Sequence, residues 1–89
     1  MKIKDGTKVI VKVLPNDKIW IGTVAISYPG VYIITDDYGI HHKIGEPYAC
    51  VSGVIKYEES LYNMLLELPN DAQYRIIQAF YWAEHEPLP

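Results

Sequence analysis

"WIGTVAISYPGVYIITDDYGIHHKIG", residues 20–45, decides the fold. Apolar and polar residues alternate over short runs, and turn formers end each run, which is the period-two pattern of antiparallel strands rather than the 3.6-residue period of a helix. Ser27-Tyr28-Pro29-Gly30 places proline and glycine at the two central positions of a type II turn. Asp37-Tyr38-Gly39 predicts a tight hairpin whose glycine takes a positive φ. Strands are expected over 19–28, 31–36 and 40–44. Gly22, inside the longest of them, marks a bend or a close backbone approach.

Upstream, Lys8-Val9-Ile10-Val11-Lys12-Val13 predicts a strand over 8–13, with the three valines inward and Lys8 and Lys12 in water. Pro15-Asn16-Asp17 supplies the turn after it. Downstream, Gly45-Glu46-Pro47 is a loop, and 49–57 is a fifth strand with Gly53 as a candidate bulge. From Glu58 the period lengthens. Leu61, Leu65 and Leu68 recur at helical spacing until Pro69, and Asn70 with Gln73 has the form of a capping box. Helices are expected over about 58–67 and 71–85. The fold class is therefore α+β, and the five short strands resemble a small SH3-like antiparallel barrel followed by two C-terminal helices: one domain over 1–89, with the barrel at 6–57 and the helical extension at 58–86.

A chain of 89 residues, 49% of them hydrophobic, has enough apolar matter for one core and not for two. Its single cysteine, Cys50, rules out an internal disulfide and reads as a buried thiol in a reducing compartment, so a cytoplasmic protein is expected. No run of about 18 apolar residues occurs, and neither export nor membrane association is expected. The net charge of −3 is unevenly spread. Residues 1–57 hold seven lysines against five acids, and residues 58–89 hold Arg75 against six.

The order GTKVIV (6–11), WIGTVA (20–25), VYIIT (31–35), DYGI (37–40) resembles small SH3-like barrels of the Tudor type, and less closely the KOW and agenet types. The likeness spans about residues 6–55. It implies an aromatic cage for a methylated lysine or arginine, with Trp20 and Tyr38 at cage positions. Val13 and Thr35 stand where that family places aromatics, and Ile40 where it places a polar residue, so the implied cage is incomplete.

The polar hairpin also raises metal or acid/base chemistry. Neighbours on a strand point to opposite faces, so His41 and His42 cannot ligate one ion, and neither can Asp36 and Asp37. If Tyr38-Gly39 is a two-residue loop, Asp36 lies opposite His41, which makes one cross-strand polar pair rather than a metal centre. No phosphate loop, nucleophile elbow or zinc-protease helix occurs, and no catalytic residue, metal or cofactor is expected.

The segment YRIIQAFYWAEH (74–85) presents an apolar sector wider than one sheet face needs. Its aromatics, ringed by acids, have the make-up of a protein interface. The expected function is a non-enzymatic protein-binding module, through self-association or capture of a partner, using Tyr74, Tyr81, Trp82, Glu84, Trp20 and Tyr38. Size and the lack of a catalytic motif suit a phage or mobile-element accessory protein that occludes a host factor, such as an anti-defence inhibitor. The alternative is a single-stranded nucleic-acid-binding barrel using Lys8, Lys12, Lys18, Lys43 and Tyr32.

Overall fold

The computed structural model describes residues 3–14, 17–28, 31–45 and 53–85, the last four of these by their backbone only. Five strands precede two helices: β1 (Lys8–Lys12), β2 (Trp20–Tyr28), β3 (Val31–Thr35), β4 (His41–Gly45), β5 (Gly53–Lys56), α1 (Glu59–Leu66) and α2 (Asn70–His85). All pairings are antiparallel, and the spatial order is β4-β3-β2-β1-β5. The α+β class and the element order are as the sequence predicts. The expected turn residues Pro15, Asn16, Pro29 and Gly30, the loop after Gly45, and Cys50 lie outside the described residues.

The sheet is not closed into a barrel: among the described residues β4 and β5 are its two edges. The physical reason lies in β1. A barrel of this size would bury one face of each strand, whereas Val9, Ile10, Val11 and Lys12 are all buried. Val9 and Val11 join Ile3, Val24, Tyr32, Ile34, Ile44 and Val54 on one face. Ile10 joins Ile19 and Ile55 with Leu65, Ile77 and Tyr81 of the helices on the other, so the sheet carries a core on each face where composition predicts room for one. A β-branched run such as Val9-Ile10-Val11 suits a strand covered on both sides. Full burial of each such side chain contributes about 1.5–3 kcal/mol, so β1, not an enclosed interior, is the centre of the molecule.

Lys12, expected in water, is instead fully buried on the helix-covered face. Its ammonium donates to the Asp17 carbonyl and, at 3.0 Å, to Gln73 Oε1. Gln73 Nε2 in turn donates to the Leu65 carbonyl at 2.7 Å. One chain of hydrogen bonds thus joins β1, the segment leading to β2, α1 and α2. A buried charge is tolerated when such partners meet it. Gln73 is consequently not part of a capping box. The Pro69 carbonyl accepts from Gln73 N at 3.0 Å and starts α2 at Asn70. Glu58 caps α1, accepting from Ser60 N and Leu61 N.

Two glycines serve close approach. Gly53 is not a bulge: it pairs in register with Lys12, and a Cβ there would stand 2.6 Å from Ile77 Cγ2 of α2. At Gly22 a Cβ would meet Ile34 Cγ2 at 2.5 Å, Trp20 Cζ3 at 2.9 Å and the Thr35 carbonyl at 3.0 Å. The irregularity in β2 falls between Val24 and Ile26, where Gly6 N and Thr7 O bond the Val24 backbone. The N-terminal stretch is therefore tied to the sheet, and Ile3 fills one core, a role its position in the sequence does not announce.

Two outcomes are expected. Gly22→Ala should destabilise the fold by about 1–3 kcal/mol, because the Thr35 carbonyl cannot move aside as a side chain can; urea unfolding measures this, and an unchanged midpoint contradicts the packing. Burial pulls the Lys12 pKa below the ordinary lysine range, with the Asp17 charge acting the other way. The unfolded chain therefore holds this proton more tightly, and stability rises as pH climbs from the folded pKa toward the unfolded value of about 10.4. The unfolding free energy of the native chain minus that of Lys12→Met should grow from neutral to alkaline pH. A pH-independent difference would mean that the amine is not desolvated.

Candidate functional site

The hairpin between β3 and β4 is built around Asp36. Its backbone N donates to the Ile40 carbonyl at 2.9 Å, and its carbonyl accepts from Gly39 N at 3.0 Å. Gly39 has φ +80°, so the turn needs a residue without a Cβ penalty there. The loop is Asp37-Tyr38-Gly39, one residue longer than a Tyr38-Gly39 turn. Thr35 accordingly faces His41 and Ile34 faces His42. This corrects the expected Asp36–His41 pairing: Asp36 Oδ2 meets His42 Nε2 at 2.7 Å, along a diagonal of the sheet.

The other carboxylate oxygen of Asp36 accepts from Tyr38 N at 2.8 Å and Ile40 N at 3.0 Å. The hydrogen bond from His42 is the largest cause holding the Asp36 carboxyl below the usual carboxylate range; burial opposes it, and the backbone bonds from Ile40 and Tyr38 reinforce it. The group is thus an anion throughout neutral pH, locked in one geometry. His41 points to the other face, where its Nδ1 lies 2.9 Å from Thr35 Oγ1. Among the described residues no three His, Cys, Asp or Glu side chains come together, and Asp36 with His42 offers at most two ligands to an ion.

Trp20, at the start of β2, packs its ring on the edge of the valine-rich core and against His42, with ring centroids 4.8 Å apart and planes tilted by 47°. Gly22 makes room for the indole. Trp20, Ile21, His42, Asp36, Asp37 and Tyr38 line an open notch of about 260 Å³. Small-molecule sites run from about 300 to 1,000 Å³, so the notch is sized for a single side chain. Tyr38 stands at its rim, 89% exposed. The sequence pairs His41, not His42, with Asp36, and the part of His42 as a ring wall escapes it. The signal is its even-numbered place beside Ile44 on the core-facing side of β4, and it is readable only once the hairpin register is known.

The other expected site residues are scattered. Val13 packs on the core, Thr35 bonds His41 on the opposite face, and Ile40 is exposed. Tyr81 is 3% exposed and Tyr74 half-buried, so neither stands out as a surface anchor. Trp82 and Glu84 lie on α2, with their side chains outside the described part. Of the nucleic-acid set, Lys12 and Tyr32 are buried. Lys8 lies 4.3 Å above the Tyr57 ring, Lys18 is exposed near α1 and α2, and Lys43 stands on β4, with β3 and β2 between it and β1. No helix among the described residues is long and apolar enough to cross a membrane.

Comparison with known protein families, characterised proteins and solved structures returns no match, so the reading of this notch rests on its own geometry.

Proposed function

We propose that the protein is a non-enzymatic protein-binding module that seats one cationic side chain of a partner, a lysine or arginine with or without N-methyl groups, in the notch of Trp20, Tyr38 and His42. The single observation that carries this reading is the pairing of ring faces with fixed negative charge. An indole and an imidazole meet at 4.8 Å beside the Asp36 carboxylate, with Asp37 exposed next to it. The Trp20 and Tyr38 faces attract a cation by about 0.5–1 kcal/mol each at exposed sites and more when water is displaced. The carboxylates add long-range attraction and disfavour acidic ligands. A partly solvated recess of this size implies weak capture of one residue within a larger contact. A reducing, cytoplasmic setting suits a chain with a single cysteine.

The test is a heteronuclear NMR titration with capped arginine, capped lysine, their methylated forms and capped norleucine as the uncharged isostere. The cations should move the Trp20 indole N–H and the Tyr38 amide, and norleucine should not. Trp20→Ala should weaken the cations by about tenfold, the equivalent of about 1.4 kcal/mol. Equal response to norleucine, or indifference to Trp20→Ala, would refute the cation site.

A further inference from the structure

The helical end of the molecule carries a second surface that the notch does not use. Glu58, Ser60, Leu61 and Met64 on one side and Phe80 on the other line a groove of about 430 Å³ between the start of α1 and the later half of α2. Met64 is 46% and Phe80 42% exposed, although both are large and apolar. The start of α1 and the later half of α2 face each other across this groove, while Leu65 of α1 meets Ile77 and Tyr81 of α2 in the core. The space between them is therefore an apolar wedge of the kind into which a third helix packs.

Charge selects what would fill it. The described helical region, from Glu58 to Tyr81, holds Glu58, Glu59, Glu67 and Asp71 against Arg75. Glu58 lies in the groove wall, and its carboxylate is kept ionised by the amides of Leu61 and Ser60. Glu67 follows Met64 by three residues, on the same stripe of α1 and at its other end. The apolar stripe thus has an acid at each end. A second copy docked groove to groove would set these acids against their own counterparts, which opposes self-association through this face. Flexible Met side chains accept varied apolar partners, and an acidic rim favours basic ones.

We infer that this groove docks an amphipathic helix of a partner protein that carries lysine or arginine around an apolar stripe. The surface lies apart from the notch and does not depend on its occupant.

The probe is a labelled peptide of leucine and lysine with leucines at i, i+3, i+4 and i+7. It is compared by fluorescence anisotropy with a scrambled peptide of equal composition and with a leucine–glutamate counterpart, all against the full chain. The helical leucine–lysine peptide should bind at least about tenfold more tightly than either control, and more weakly at higher salt. Met64→Lys should abolish this preference. Phe80→Ser is a second variant at an exposed position should the first fail to fold by circular dichroism. Trp20→Ala should leave it unchanged, which separates this surface from the cation notch. Equal binding of the scrambled or acidic peptide, indifference to both groove variants, a dimer in sedimentation that Met64→Lys dissolves, or binding only after removal of residues 86–89 would each overturn the inference.

Discussion

The structure depends on the burial of both faces of β1. Val9 and Val11 need cover on one side, Ile10 and Lys12 on the other, and no single sheet closed on itself supplies both. The helices are therefore part of the fold rather than an appendage. Leu65 of α1 and Ile77 and Tyr81 of α2 complete the second core. The buried Lys12 ammonium makes this cover specific as well as apolar. Its two acceptors come from Asp17 and Gln73, so a displaced α2 would strip the ammonium of one of them.

This arrangement divides the molecule by role. On β1, β5 and the sheet-facing sides of the helices, the apolar residues are consumed by packing. β2, β3 and β4 extend beyond the helices, and there the side chains have freedom to face solvent. Trp20 stands at the boundary, resting on one core while its ring meets His42. Asp36 then has two jobs. It closes the hairpin through the amides of Tyr38 and Ile40, and it fixes His42 at 2.7 Å, so the turn and the notch form together. A recess assembled from a self-bonded hairpin and a packed indole is pre-organised, which lowers the ordering cost of capturing a ligand.

Local chemistry made much of this legible in advance. Period-two alternation and turn residues located all five strands, and the helical spacing of Leu61, Leu65 and Leu68 with the break at Pro69 located both helices. Most of what failed did so for one reason: alternation tells which residues share a face, not which faces are covered. Lys12 has the local pattern of a solvated strand residue and became buried because α2 lies over it. Gly53 has the local pattern of a bulge and is instead where Ile77 approaches. Gln73 resembles a capping residue and is drawn inward by Lys12. At the site, the resemblance singles out Trp20 and Tyr38, and both line the notch. The part of His42 was not legible, because a one-residue change in loop length decides which histidine meets Asp36.

Native-state hydrogen exchange across increasing urea tests the central constraint most directly. If β1 is enclosed between two cores, the amides of Ile10, Val11 and Ile55 should exchange only through global unfolding, with the urea dependence of the whole molecule and together with α2 residues near Ile77. The edge strand β4 and the outer turn of α1 should open earlier. Exchange from β1 that proceeds by local opening, or loss of α2 protection while β1 stays closed, would show that the helices are not what secures the central strand.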